Sequence, residues 1–217
     1  MHSGTVIAPV FFLPDRDLTA DDVTPRVKQA LRRGVADLCS ESRSRPVLKI
    51  TGWPRLGFLN EVFPDAKFIH VVRDGRAVVN SMLNVDWWSG WRGPNNWRWG
   101  ALTPQQEAQY LHYQRSFVAL AGIEWNILMD AMAHARGVIA PDRLLEIRYE
   151  DFCADVAGTM TRTAEFCGLP LDAAATRRVQ RYRVRDNNFK WQQELSASQQ
   201  AMMCDIMSVQ LQQYGYA

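Results

Sequence analysis

The feature that most constrains this sequence is an apolar strand that runs into a helix through a short polar break. The strand, Lys67–Val72, is mostly apolar and β-branched, which is typical of a parallel strand covered on both faces. The break is Arg73-Asp74-Gly75, and apolar residues return at helical spacing over Arg76–Leu83. Such a unit predicts a parallel sheet with helices packed against it.

The rest of the chain alternates strands and helices in the same way. The pattern predicts one α/β domain over residues 1–217, with a parallel sheet flanked by helices. It predicts residues 173–192 to be irregular and basic. Further strands are predicted at Val47–Ile50 (short and buried) and Leu144–Tyr149, and helices at Pro25–Leu38, Arg55–Val62, Pro104–Arg136, Val156–Phe166 and from Ser196 to about Tyr214.

Composition narrows the class of protein. A net charge of +2 with 47% apolar residues does not favour a nucleic-acid or anionic-membrane partner on bulk charge. No run of about 18 apolar residues predicts a membrane span, and the start lacks a basic leader and is broken by Pro9. The cysteines are widely scattered, which indicates a reduced, cytoplasmic protein without structural disulfides or a metal site.

Three predicted strands carry polar residues where a ligand would be expected. Lys49 lies in the first strand, Arg73 follows the second and Tyr149 closes the third. Ligands of open parallel sheets sit beyond the carboxyl ends of the strands, so these residues should share a crevice suited to phosphates and a flat base. Ser81, eight residues after Arg73, could add a hydroxyl to a phosphate grip. Spacing alone favours the alternative of an Arg73–Asp74 surface pair.

The segment Phe63–Ser81 closely resembles the 3′-phosphate-binding segment of sulfotransferases. Its Arg-Asp-Gly-Arg-Ala variant is most similar to that of tyrosylprotein sulfotransferases and their bacterial relatives. The resemblance implies a nucleoside-triphosphate-hydrolase-like sulfotransferase fold. It also implies that Arg73 and Ser81 bind the 3′-phosphate of 3′-phosphoadenosine 5′-phosphosulfate (PAPS).

Other segments extend the resemblance over roughly residues 47 to 170. Arg148–Phe152 resembles the family's Tyr-Glu-Asp segment, which implies that Tyr149 lies against the adenine. Lys49 matches a lysine that approaches the sulfuryl and phosphate oxygens and is the candidate catalytic residue. In the basic segment 177–190, Lys190 is the candidate for a further 3′-phosphate contact, and a solvated helix face is an equal alternative. The implied reaction moves a sulfuryl group from PAPS, as co-substrate, to an acceptor hydroxyl, without a metal.

Two parts of the family's site have no match in this sequence. The phosphate loop, approximately Pro-Arg-Ser-Gly-Thr-Thr, is echoed only by three letters at His2–Thr5, and Thr51 stands where cytosolic members have a histidine base. We therefore expect a chain incomplete at its amino terminus, with weak activity on its own. The alternative is a non-catalytic nucleotide-binding protein that retains the adenosine 3′-phosphate half-site. A small-molecule kinase is disfavoured because Gly-x-x-x-x-Gly-Lys-Ser/Thr is absent.

A tryptophan-rich loop over residues 85–100 holds five of the eight tryptophans. Trp87, Trp88 and Trp91 are the candidates for binding an acceptor, which would be a small molecule, a glycan or a peptide. Packing of the loop against the following helix is the alternative, and the usual burial of large aromatic side chains favours it. Asp86, Glu107 and Glu124 remain as candidate bases.

Overall fold

The computed structural model describes residues 15–169 and 171–216. The three-letter echo of the phosphate loop at His2–Thr5 lies outside these residues. The predicted α/β class with a parallel sheet flanked by helices is confirmed. Strand β1 (Phe68–Val72) pairs in parallel with β2 (Leu144–Arg148), with Phe68 opposite Leu144 and Val72 opposite Arg148.

The described residues also form helices that flank this sheet, with short 3-10 turns at Ala20–Asp22, Gly90–Arg92, Pro94–Asn96 and Pro141–Arg143. The helices are α1 (Pro25–Ala36), α2 (Leu56–Val62), α3 (Gly75–Leu83), α4 (Pro104–His112), α5 (Phe117–Arg136), α6 (Tyr149–Ala154), α7 (Val156–Phe166), α8 (Ala173–Arg181), α9 (Lys190–Glu194) and α10 (Ala197–Gln213).

Side-chain caps explain where several helices begin. The Thr24 hydroxyl accepts a hydrogen bond from the Val27 amide at 3.2 Å, as the sequence predicts. Capping boxes open α4 at Thr103 and α10 at Ser196, because each hydroxyl and a glutamine three residues later satisfy each other's backbone amides. The predicted starts of these three helices are confirmed.

The main core lies between α3, α5 and α10. Val79 of α3, Leu120 and Ile123 of α5, and Met203 and Met207 of α10 are all buried there. Gly75 starts α3 against this core, and a Cβ atom at that position would collide with the side chains of Met207 and Trp125. The glycine of the Arg-Asp-Gly break therefore lets the chain turn from β1 into α3 at close range.

Two strand predictions are wrong. Val47–Ile50 forms no strand, and its side chains are exposed, Val47 to 90%. A strand needs a hydrogen-bonded neighbour, and the sheet of the described residues contains only β1 and β2. The prediction that β1 is covered on both faces is also wrong, because Ile69 and Val71 are exposed.

Three helix boundaries also differ from prediction. The helix expected over Pro104–Arg136 is broken between α4 and α5, where Gln114 and Arg115 adopt positive φ values of 53° and 58°. The region 173–192 contains α8 and α9 as well as irregular chain. Tyr149 begins α6 and does not close β2.

Candidate functional site

Arg73 and Tyr149 are brought together by the register of the sheet. Their predecessors Val72 and Arg148 are paired at the carboxyl ends of β1 and β2. The Arg73 guanidinium carbon lies 4.4 Å from the centroid of the Tyr149 ring, a distance at which a cation is attracted to an aromatic face. The Tyr149 hydroxyl donates a hydrogen bond to the Arg185 carbonyl at 3.1 Å. Two of the three residues predicted to lie together at the end of the sheet are therefore in contact.

Asn188 fixes one side of the Arg73 guanidinium. Arg73 Nε donates to Asn188 Oδ1 at 2.7 Å, and Asn188 Nδ2 donates to Glu150 Oε1. Within residues 15–169 and 171–216, the Nη1 and Nη2 groups of Arg73 have no hydrogen-bond partner. In this part of the chain, the forked end of the side chain has donors that a ligand could use.

Glu150 is the centre of this network. It accepts hydrogen bonds from the Asp74 backbone amide at 3.2 Å and from the Tyr216 hydroxyl at 2.9 Å. Burial alone would raise the pKa of Glu150, but hydrogen bonds from backbone amides, Tyr216 and Asn188 bring that pKa below its usual value. Burial and the bond to Glu150 raise the pKa of Tyr216, so its hydroxyl stays a donor.

The alternative of an Arg73–Asp74 pair is not what the structure contains. Asp74 is buried and accepts from the Arg76 amide at 2.9 Å as the N-cap of α3. Its other oxygen forms an ion pair with Arg76 Nη2 at 2.8 Å. The neighbouring acid is thus held by Arg76, and Arg73 keeps its charge for another partner.

The other predicted nucleotide contacts lie on elements next to Arg73. Ser81 is exposed on α3, six residues after Gly75 and so about 9 Å along the helix axis. Lys190 is exposed at the start of α9, two residues after Asn188. Their roles stay predictions.

Lys49 does not lie in a strand of the sheet. It is exposed in the irregular segment that was predicted to be a strand. Among the described residues, no hydrogen bond or ring contact joins Lys49 to Arg73 or Tyr149. The prediction that Lys49 lies in a strand is therefore wrong, and its place beside Arg73 and its catalytic role stay predictions.

The tryptophan-rich loop divides into buried and exposed rings. Trp88 is buried and its indole donates to Glu124 Oε2 at 2.8 Å, so its position agrees with the packing alternative. Trp87 and Trp91 are 59% and 62% exposed. Their rings are accessible for an acceptor, whereas the ring of Trp88 is not.

Glu124 carries an unusual carboxyl group beneath this loop. The side chain is only 1% exposed, and burial raises its pKa to about 7, although hydrogen bonds from Trp88 and Trp99 oppose the rise. An enclosed carboxyl group cannot reach an acceptor in solution. Of the three candidate bases, Asp86 and Glu107 are the exposed ones.

The described residues contain neither a metal-binding cluster nor a membrane-spanning helix. In the part of the chain that the structure describes, no group of three His, Cys, Asp or Glu side chains could hold a metal ion. In the same residues, no helix combines the length and the apolar character that crossing a bilayer requires. Cys39, Cys153, Cys167 and Cys204 are free thiols.

Comparison with known proteins gives matches to one family. A family model described as the Sulfotransferase family matches residues 49–173. Two curated relatives, the omega-hydroxy-beta-dihydromenaquinone-9 sulfotransferases of Mycobacterium bovis and Mycobacterium tuberculosis, are each 26% identical over 211 residues. The match covers 92% of this chain and 49% of each relative, so the chain spans about half the length of the curated relatives that it matches. No solved structure matches.

Proposed function

Because this chain belongs to the sulfotransferase family, we propose that it binds PAPS and serves the transfer of the sulfuryl group to an acceptor hydroxyl. The observation that carries the proposal is the guanidinium of Arg73 beside the ring of Tyr149, at the carboxyl ends of two paired parallel strands. A ligand with a phosphate and a flat base needs a cation and an aromatic face at one place.

The side chains present fit the adenosine 3′-phosphate half of PAPS. The two Nη groups of Arg73 suit a bidentate grip on a phosphate, because a guanidinium presents parallel donors. Ser81 and Lys190 would add a hydroxyl and an ammonium group, and Tyr149 would contact the adenine. When bound, PAPS supplies an activated sulfuryl group, and Lys49 would supply positive charge beside it.

For the acceptor we propose a small molecule with an apolar or aromatic body. Trp87 and Trp91 present large exposed rings from the tryptophan-rich loop, and such rings stack on apolar ligands. The two mycobacterial relatives are named for a hydroxylated dihydromenaquinone acceptor. We also propose a cytoplasmic location, which the four free cysteines support.

A second candidate is a nucleotide-binding protein without transferase activity. The exposed position of Lys49 favours it, because a flexible lysine in an irregular segment is not held against the sulfuryl group. Both candidates share the 3′-phosphate half-site. Binding therefore tests the half-site, and transfer separates the candidates.

The binding test compares adenosine 3′,5′-bisphosphate with adenosine 5′-monophosphate by calorimetry. The bisphosphate should bind more tightly, because Arg73 and Ser81 contact its 3′-phosphate. Loss of a charged contact typically costs about 1.5–3 kcal/mol, so Arg73→Ala should weaken bisphosphate binding about tenfold or more. Arg26→Ala, an exposed change on α1, is the matched control and should have no effect. Equal binding of both nucleotides by the unmodified chain would contradict the proposal.

A further inference from the structure

The proposed function depends on a long, flexible arginine holding one position. Arg73 follows β1 directly, and its side chain has several rotatable bonds that a free surface arginine samples widely. Here Nε is held by Asn188 Oδ1 at 2.7 Å and the guanidinium covers the Tyr149 ring at 4.4 Å. Among the described residues, the two Nη groups have no hydrogen-bond partner. What holds Asn188 consequently decides where Arg73 points.

The orientation of the Asn188 amide follows from its two partners. Arg73 can only donate and a carboxylate can only accept, so Oδ1 must face Arg73 and Nδ2 must face Glu150. The Asn188 backbone amide also donates to Asp186 Oδ1 at 2.9 Å. A flipped amide would oppose donor to donor and acceptor to acceptor, so this arrangement is the only stable one.

A neutral amide between Arg73 and Glu150 has an electrostatic consequence. A carboxylate in direct contact with Arg73 would form an ion pair and compete with a phosphate for the same donors. The neutral amide of Asn188 accepts a hydrogen bond from Arg73 through Oδ1 and donates one to Glu150 through Nδ2. The arginine is thus held in place with its positive charge still available.

The far end of the network is the carboxy-terminal tyrosine Tyr216. Its hydroxyl donates to Glu150 Oε2 at 2.9 Å, and its carbonyl accepts from Arg76 Nη2 at 2.8 Å. The Arg148 guanidinium lies 4.3 Å from the Tyr216 ring centroid, and Arg148 Nη1 donates to the Tyr214 carbonyl at 2.6 Å. Arg76 and Arg148 therefore hold the residues after α10 in place. In the sequence, these two arginines lie close to Arg73 and Tyr149.

We propose that Asn188, Glu150 and Tyr216 form a positioning relay that fixes Arg73 for the 3′-phosphate, and that the carboxy-terminal residues thereby belong to the nucleotide site. The inference rests on the proposed function, since Arg73 must contact that phosphate. These three residues are positioning residues because they act through Arg73. Connected outer partners of this kind affect binding by restricting the side chain that touches the ligand.

The test measures how strongly each variant prefers adenosine 3′,5′-bisphosphate over adenosine 5′-monophosphate, as the ratio of the two dissociation constants. Tyr216→Phe removes one hydroxyl and keeps the ring beneath Arg148. It should lower the ratio about three- to tenfold, as loss of a hydrogen bond does, with monophosphate affinity unchanged. Asn188→Ala should lower the ratio at least as much. Asn188→Asp should lower it most, because its carboxylate would pair with Arg73 and repel Glu150.

Tyr113→Phe is the matched control. The Tyr113 hydroxyl donates to Asp205 at 2.5 Å, which is the same kind of tyrosine–carboxylate bond on other elements of the fold. This variant should keep the ratio of the unmodified chain. In an Arg73→Ala background, Tyr216→Phe and Asn188→Ala should change the ratio no further, because the residue that they position is gone.

The outcomes separate the relay from the proposed function. If the unmodified chain does not distinguish the two nucleotides, the proposed function fails and the relay fails with it. If it does distinguish them but Tyr216→Phe and Asn188→Ala keep the full ratio, the relay alone is overturned. Equal loss of affinity for both nucleotides, or losses that persist in the Arg73→Ala background, would show a purely structural role and also overturn it.

Discussion

A carboxyl group lies in the interior of this protein between the indole rings of two tryptophans. Glu124 of α5 accepts from Trp88 at 2.8 Å, and Trp99 also bonds it. These bonds tie the tryptophan-rich loop to the central helix. They compensate part of the cost of burying a charge, and the pKa of Glu124 at about 7 shows that part of the cost remains.

This pKa gives the stability a pH dependence of definite sign. An ordinary glutamate has a pKa of 4.5, whereas that of folded Glu124 is about 7. Between these values the folded protein keeps a proton that the unfolded chain has released. The contribution of Glu124 is therefore fully present below pH 4.5 and is lost as pH rises through 7.

Glu124→Gln tests this directly, because an amide still accepts from an indole but does not ionise. From pH 5 to pH 8 the unfolding free energy of the variant relative to the unmodified chain should rise by on the order of 2–3 kcal/mol. Urea unfolding at both pH values measures it. Glu107→Gln, at an exposed position of α4, is the control. Its unfolding free energy should change with pH as that of the unmodified chain does. If the unfolding free energy of Glu124→Gln also changed with pH as that of the unmodified chain does, the pKa of the Glu124 carboxyl group would not be raised.

Only some residues of the candidate site could be predicted from the sequence. Arg73 and Tyr149 were predicted to be neighbours, because each follows a strand and parallel strands end at one edge. Asn188 and Tyr216 were missed, since they reach the site from 115 and 66 residues away in the sequence, from Arg73 and Glu150 respectively. Nothing in their local sequence marks such a contact. The basic character of residues 177–190 pointed only to the segment.

At the scale of elements, prediction succeeded where the signal is local. The strand β1, the caps at Thr24, Thr103 and Ser196, and the bounds of α7 all follow from short patterns. The strand at Val47–Ile50 failed because pairing is not local. The break between α4 and α5 was missed because Gln114 and Arg115 occupy left-handed positions where glycine is the usual signal.

Arg115→Gly should therefore stabilise the protein. A left-handed conformation costs a residue with a side chain about 1–2 kcal/mol, and glycine avoids this cost. Glycine also has more conformational freedom in the unfolded chain, which offsets part of the gain in stability. We expect a net gain of up to about 1 kcal/mol in thermal or urea unfolding. Ala108→Gly, at an exposed helical position of α4, should instead cost about 1 kcal/mol. A loss of stability in both variants would contradict the assignment of this break.

At the scale of the whole molecule, one face of strand β1 is exposed. The core lies on the side of α5 and α10, whereas Ile69, Val71 and the segment 47–50 are exposed on the described chain. Lys49 lies in the exposed irregular segment, whereas Arg73 and Tyr149 directly follow β1 and β2. The proposed nucleotide half-site is therefore anchored where regular strands end, and the candidate catalytic residue is not.

This division leads us to expect that nucleotide binding and sulfuryl transfer separate in this 217-residue chain. Negative charge collects on the leaving 5′-phosphate during transfer, and preorganised donors must meet it. Loss of one such donor typically costs about 10²–10³ in rate. The sequence has no match to the family's phosphate loop, and Lys49 lies in an exposed irregular segment. Adenosine 3′,5′-bisphosphate should still bind, because its proposed contacts lie directly after β1, on α3 and in the chain after β2.

The measurement incubates the chain with radiolabelled PAPS and a panel of hydroxyl acceptors, beside the mycobacterial relative with the acceptor given in its name. Transfer by this chain should be at least about 10²-fold slower, as expected for the loss of preorganised donors. Lys49→Ala should change that residual rate little, since an unheld lysine contributes little. Turnover equal to that of the relative, together with a large loss in Lys49→Ala, would show that PAPS itself draws Lys49 into the site. The non-catalytic alternative would then be excluded.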